Sequence, residues 1–275
     1  MDLYRTTSYR LAERLTKDYS TSFSMSSRLF DPSIQKHIYA IYGLVRVADE
    51  IVDTYQGNDA EKTLDDLEHH TLEQLKSKTP FSANPIVHAF VITAQEFGID
   101  ESIIRPFFES MRIDLVKKSF TQEEYAEYIY GSAEVIGLMC LKVFTVNRPE
   151  AYEQLRPGAQ ALGSAYQKIN FLRDMKSDYV ERQRCYFPGV TFDTFDDTQK
   201  KEIEADIAKD LATGYASLKQ LPPTVRKAIL TSYRYYQELL TTLKKASAQD
   251  IKTKRLRVPN AKKLAIYATA KALPL

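Results

Sequence analysis

The sequence has no tryptophan, two cysteines, nine glycines and a net charge of only +2 over 275 residues, and each shortage excludes something. Two thiols, Cys140 and Cys185, make no disulfide framework, so the chain suits a reducing interior such as the cytoplasm. Nine glycines fall well under the usual ~7% usage, and no run of them is available to cradle a phosphate. Strand-rich folds need frequent turns, so this scarcity counts against a sandwich or barrel. Thirty-eight basic residues nearly cancel thirty-six acidic ones, which leaves no strong attraction to nucleic acid. The longest apolar run, VIGLMC at 135–140, is far short of the ~20 residues that a membrane span requires. The opening MDLYRTTSYRLAERLTKDYS lacks the apolar segment of a secretory signal. A soluble protein, or one resting on a membrane surface, is expected.

What the sequence does have is helical periodicity. Ile34, Ile38, Ile41, Leu44, Val45 and Val52 recur at three- and four-residue steps over 32–55, and Leu64, Leu67, Leu72 and Leu75 do so over 59–76. Further helices are expected over 85–97, 101–118, 121–146, 149–182, 196–218, 223–248 and 259–272. Breaks fall where Gly, Asn and Pro gather, at 57–58, 80–85, 98, 147–149, 188–189, 222–223 and 259. No segment alternates with period two, no unit repeats, and no linker separates domains. The expected fold is all-α, a single domain over 1–275 of roughly ten helices.

Two aspartate pairs carry the chemistry. Asp49 and Asp53 are i and i+4 on one helix face, about 6 Å apart along the axis, with Arg46 and Tyr42 on the same stripe. Glu50 is rotated about 100° away and need not share the site. Asp174 and Asp178 repeat the spacing far down the chain, with Asn170, Gln167 and Gly163 continuing the stripe and Arg173 beside it. Either pair alone also suits a solvated helix face. Together, on facing helices, they would bring four carboxylates to one cavity. Oxygen ligands of this kind suit Mg²⁺, which one or two carboxylates and substrate phosphate oxygens usually hold. A di-iron carboxylate bundle needs Glu-x-x-His pairs, and none of the four histidines, His37, His69, His70 and His88, provides one. They are read as surface or packing residues.

These residues resemble the squalene/phytoene synthases. The likeness covers nearly the whole chain: Tyr-Ser-Thr-Ser-Phe-Ser at 19–24, the 42–53 segment, Ser-Met-Arg-Ile-Asp-Leu at 110–115, Tyr-Ile-Tyr-Gly-Ser-Ala-Glu-Val-Ile-Gly at 128–137, the 167–178 segment and Arg-Cys-Tyr-Phe-Pro at 184–188. The resemblance implies an isoprenoid synthase-type helical bundle with a central cavity. It implies a head-to-head prenyltransferase that joins two geranylgeranyl diphosphates, through a cyclopropylcarbinyl diphosphate, to phytoene. Asp49, Asp53, Asp174 and Asp178, with Asn170, would hold Mg²⁺ or Mn²⁺ and diphosphate. Arg46, Gln167 and Arg173 would contact the diphosphate, Ser20, Ser22 and Phe23 would lie over it, and Tyr128 would stand near the reacting carbons. Arg255 matches a basic residue near the C-terminus. Phe23, Tyr42 and Tyr128 would offer π faces to carbocations. Ser-Ala-Glu-Val at 132–135 replaces the family's more usual Val-Ala-Gly-Thr, at positions that would line the prenyl pocket.

Two alternatives stand beside that reading. One joins two farnesyl diphosphates to squalene or dehydrosqualene, with NADPH needed only for squalene. The other is a non-catalytic helical relative that serves assembly or binding. Eight basic residues against Asp250 over 244–263 suit either a solvated helix end or an anionic membrane surface. Neither partners nor oligomeric state follow from the sequence beyond the prenyl diphosphate substrates. Gly137 and Gly163 are expected to leave room for a prenyl chain.

Overall fold

The computed structural model describes residues 2–55, 57–146 and 148–272, so Asn147, at one of the expected breaks, lies outside the described residues. Its helices are α1 (Leu3–Tyr19), α2 (Thr21–Ser27), α3 (Pro32–Asp53), α4 (Ala60–Lys76), α5 (Pro85–Phe97), α6 (Glu101–Val116), α7 (Gln122–Ile129), α8 (Val135–Phe144), α9 (Pro149–Arg182), α10 (Asp197–Leu218), α11 (Pro223–Lys245), α12 (Ala248–Thr253) and α13 (Asn260–Ala272). No strand occurs among the described residues, and no helix there is long and apolar enough to cross a membrane.

Local chemistry sets most boundaries. Asp31 caps α3 by accepting from the Ser33 N–H at 2.9 Å, with Pro32 in the first turn. Ile38, Ile41, Leu44 and Ala48 form the buried stripe of α3. The break after α11 comes sooner than periodicity predicts. Ser247 and Asp250 form a capping box that starts the short α12.

Helix α1 has no apolar stripe to announce it. Its buried face is Ser8, Tyr9, Ala12 and Thr16, packed on α3 and α5. Ser8 and Thr16 turn their hydroxyls back to the carbonyls of Tyr4 and Ala12 at 2.9 Å each, so polar side chains are buried without orphaned donors.

The helix expected over 121–146 is α7 and α8 joined by a π-helical turn, Tyr130–Glu134, in which the Val135 N–H reaches back to the Tyr130 carbonyl. Such a turn inserts one residue and shifts the face presented after it. Ser110 Oγ on α6 donates to the Tyr128 carbonyl at 3.2 Å, satisfying backbone at the bulge.

At the centre runs α9, packed against α8, α10, α11, α12 and the π turn. One cluster of buried side chains extends from Phe30 to Val258.

Candidate active site

A cavity of about 400 Å³ lies between α2, α3, α8, α9, α10 and α11. Phe30, Ile38, Leu141, Phe144, Leu155 and Leu221 make its apolar depth. Ser20, Ser22, Tyr42, Gln167, Asn170 and Arg173 stand in the wall at its polar end. Phe23 also lines it and stacks on Tyr42, with ring centroids 4.9 Å apart and planes 19° from parallel. Ser20 has a second task, since its hydroxyl caps α2 by accepting from the Phe23 N–H at 3.3 Å. Tyr166 and Tyr236 stack at 3.8 Å on another wall. Cys140 lines the cavity too, but burial pushes its thiol up to about 12, so it supplies bulk and no nucleophile.

The π turn sends its residues to different places. Ser132 and Ala133 stand in the cavity wall, whereas Glu134 accepts from Gln160 Nε2 at 2.8 Å and lines another hollow. Gly137 and Gly163 also reach the wall, yet their missing side chains serve packing. A Cβ on Gly137 would sit 2.6 Å from the Ala159 carbonyl oxygen, and one on Gly163 2.6 Å from that of Ala133. The expectation that they make room for substrate is corrected: they let α8 and the π turn close on α9.

One turn beyond Val45 and Asn170, where α3 and α9 leave the cavity wall, stand the aspartate pairs. Arg182 joins them, its Nε lying 3.3 Å from Asp53 Oδ1 and its Nη1 3.4 Å from Asp178 Oδ1. Arg46 lies 3.7 Å from Asp49, also pairs with Glu50, and lies over the Tyr19 ring at 4.3 Å. Glu50 therefore touches the edge of the site through Arg46, where helix geometry alone had turned it away. Arg173 Nε donates to Asp174 Oδ1 at 2.9 Å, and Arg255 Nε reaches the same oxygen at 2.7 Å from the segment after α12.

The chain turns sharply to supply these arginines. Gln183, just past α9, has φ 54°, the only positive φ at a non-glycine among the described residues. That conformation costs on the order of 1–2 kcal/mol for a residue with a Cβ. It reverses the backbone so that Arg182 and Arg184 both approach Asp53, Arg184 at 3.5 Å.

Arg184 leads to a residue that spacing did not single out. Asp114, from α6, lies 3.6 Å from Arg184 Nη1, and its backbone oxygen accepts from the same guanidinium. Tyr128 donates its hydroxyl to Asp114 Oδ2 at 2.6 Å, and Tyr186 reaches Oδ1 at 3.3 Å. Tyr128 is 1% exposed and does not line the cavity. Its ring packs with Phe120, Phe171 and Tyr186 behind the carboxylates, so the structure assigns it to Asp114 rather than to the cavity wall.

The electrostatics favour a bound cation. Burial pushes Asp49 up to about 7 against the pull of Arg46, with Asp53 and Asp114 adding to the rise. Burial and then Asp174 push Asp178 up to about 7, and burial raises Asp114 to about 6 against Arg184 and Tyr128. Asp53 is the last residue of α3, where the helix dipole disfavours a carboxylate by about 0.3–1 kcal/mol.

The donor set fits a hard metal ion. Asn170 Oδ1 is buried with no hydrogen-bond partner, one turn from Asp174, and its neighbours offer carboxylate oxygens. No three His, Cys, Asp or Glu side chains among the described residues form a ready cage.

Comparison with known proteins agrees with this architecture. Residues 16–262 match the family model described as squalene/phytoene synthase, and the chain belongs to this family of head-to-head prenyltransferases. Among its relatives, a phytoene synthase from Arthrospira platensis is 27% identical over 94% of this chain and 91% of its own length. A 4,4'-diapophytoene synthase from Staphylococcus haemolyticus is also 27% identical, over 74% of this chain and 70% of its own. A dehydrosqualene synthase solved in complex with ligand shares the fold, with a TM-score of 0.82 at 23% identity over 98% of this chain and 96% of that one.

Proposed function

We propose that the protein joins two geranylgeranyl diphosphates head to head, through a cyclopropylcarbinyl diphosphate, to phytoene, with release of diphosphate, as a step in carotenoid formation. One observation carries the reading: an apolar cavity whose polar end continues along α3 and α9 into two aspartate pairs bridged by Arg182. The phytoene synthase named among the relatives supports the choice of substrate.

Mg²⁺, with Mn²⁺ as a substitute, would be held by Asp49, Asp53, Asn170, Asp174 and Asp178 and would supply the charge that lets diphosphate depart. Arg46, Arg173 and Arg255 bring guanidinium groups to the same mouth, suited to bidentate contact with diphosphate oxygens. Gln167 and Ser22 offer hydrogen bonds at the polar end. The apolar walls keep water from the allylic cation, and Phe23, Tyr42 and Tyr166 contribute π faces along the route. Tyr128 and Tyr186 act through Asp114, holding its carboxylate beside Arg184.

A second reading, favoured by the 4,4'-diapophytoene synthase relative, takes two farnesyl diphosphates to a C30 hydrocarbon, with NADPH required only if the product is squalene. Purified protein incubated with each diphosphate, with and without Mg²⁺ and NADPH, separates the readings by the hydrocarbon recovered. A C40 product from geranylgeranyl diphosphate without NADPH supports the first, and a C30 product from farnesyl diphosphate alone replaces it with the second. No product from either leaves only a non-catalytic helical relative.

Contact with an anionic membrane surface rests on α13, where Leu264 is 61% exposed beside Lys262 and Lys263. Part of the basic stretch is already spoken for, because Arg255, Lys254 and Lys262 pair with Asp174, Asp250 and Glu238. Sedimentation with anionic but not neutral vesicles tests the contact.

A further inference from the structure

Ser22, Ser26 and Tyr235 face two spaces. They line the main cavity, and they also line a hollow of about 20 Å³ closed by Met25 and Thr231 and by Lys263, Ile266 and Tyr267 of α13. A hollow of that size holds about one water molecule, so it is no ligand site. It marks a seam where a single layer of side chains, two of them serines, separates the cavity from α13.

Helix α13 lies along the flank of the cavity. Lys263 Nζ stands over the Tyr235 ring at 5.5 Å and Lys262 meets Glu238 at 3.3 Å, whereas at the other end Lys227 Nζ donates to the Lys271 carbonyl at 3.0 Å. The helix therefore runs antiparallel to α11, beside Ala228, Ile229, Ser232 and Tyr235, which line the cavity. It is lightly seated. Ala270 is the one buried residue among its thirteen, and the Lys262–Glu238 pair is of the partly solvated kind that holds weakly. Elements with so few buried contacts open at low cost.

The polar end is a poor exit for a hydrocarbon. Arg46, Arg173, Arg182 and Arg255 stand there among the aspartates. A chain drawn past them would expose its length to hydrated, charged groups. The flank presents small side chains, then Met25 and Ile266, then Leu264, 61% exposed on a helix with three lysines and no acid.

We propose that α13 is a lateral gate, and that its movement away from α2 opens the flank of the cavity so that an apolar occupant leaves through this seam. The identity of that occupant, the hydrocarbon product, rests on the function proposed above. The test joins α13 to α2 reversibly. Met25→Cys and Tyr267→Cys, in a chain also carrying Cys140→Ala and Cys185→Ala, are bridged across the hollow by a bifunctional methanethiosulfonate with an ethylene spacer. The protein is loaded with diphenylhexatriene, and stopped-flow fluorescence follows transfer of the probe to vesicles of phosphatidylglycerol and phosphatidylcholine.

The bridge should slow transfer by about tenfold or more, and dithiothreitol should restore the unbridged rate. Tyr267→Ala, which needs no bridge, should speed transfer by about threefold. Mg²⁺ with inorganic diphosphate, directed at the polar end, should leave the unbridged rate unchanged. The proposal is overturned if bridged and reduced protein release the probe alike, or if Mg²⁺ and diphosphate slow release while the bridge does not, which would place the exit among the aspartates. The probe is no substrate, so a chain that makes no hydrocarbon from either diphosphate overturns the proposed function and leaves this measurement standing.

Discussion

Arg182 Nε lies 3.3 Å from Asp53 Oδ1, tying the last turn of α9 to the last residue of α3. The same guanidinium meets Asp178 at 3.4 Å, so one side chain holds together two carboxylates that repel each other. Replacing it separates two roles. Arg182→Gln should lower kcat by about ten- to a hundredfold if the charge acts on diphosphate, with little change in Tm because the arginine is partly solvated. Steady-state kinetics with thermal melting checks this. A large fall in Tm with kcat preserved would make Arg182 a structural brace.

The aspartates themselves are expected to matter for turnover and not for folding. Asp49→Asn and Asp174→Asn keep shape and remove charge from the sites where Mg²⁺ would bind. Each should cut product formation by at least about a thousandfold, with helix content unchanged. Because burial and neighbouring carboxylates raise Asp49 to about 7, keeping it ionised at pH 8 costs stability, and its neutralisation should raise the melting temperature slightly there. Chelation by EDTA should stop turnover of the parent, with Mg²⁺ or Mn²⁺ restoring it. A parent indifferent to EDTA would remove the metal from the proposal.

Gly163 gives the sharpest check on how α9 is packed. A Cβ there would stand 2.6 Å from the Ala133 carbonyl oxygen and 3.1 Å from Glu134 Cα, both backbone atoms that cannot swing away. Gly163→Ala should therefore destabilise by about 1–3 kcal/mol and lower activity by tilting the wall that carries Ser132 and Ala133. Urea unfolding measures the first effect. A stable variant with merely altered product length would restore the view that this glycine makes room for substrate.

Those residues also mark what the sequence made legible. Asp49, Asp53, Asp174 and Asp178 could be found because period 3.6 turns a four-residue spacing into one face, and Arg46, Gln167, Asn170 and Arg173 follow from the same arithmetic. Asp114 and Arg184 were written in recognisable segments, but each reaches the site from a different element, so no local spacing links them. Their meeting depends on the αL turn at Gln183, a tertiary choice that its residue type does not announce. Helix α1 escaped for the opposite reason, since its buried stripe is made of Ser, Thr, Ala and Tyr. The shift of face between Tyr128 and Ser132 depends on one inserted residue in a π turn, which a helical periodicity reads straight through. Tyr128, which the resemblance put near the reacting carbons, stands behind Asp114 and outside the cavity wall.

Acid stability isolates another buried group, far from the aspartates. His37 is 1% exposed on α3, with Nδ1 2.9 Å from Thr93 Oγ1 and 3.4 Å from the Tyr9 hydroxyl. Burial, then the charges of Lys36 and Arg5, push it down from 6.5 to about 3. The folded chain thus binds fewer protons than the unfolded one between those values. The contribution of neutral His37 is complete above pH 6.5 and is lost as pH falls toward 3, with a slope of up to about 1.4 kcal/mol per pH unit. Asp49 and Asp178, raised to about 7, act with the opposite sign over much of the same window, so the raw stability curve mixes the two. The difference between parent and His37→Gln removes the carboxylates, which both proteins share. That difference should narrow steadily from pH 7 to pH 4, because the variant has no proton to take up at this position. Denaturant midpoints at half-unit pH steps, about seven points in all, read it directly, and a constant difference across the range would mean that His37 titrates alike in the folded and unfolded chain.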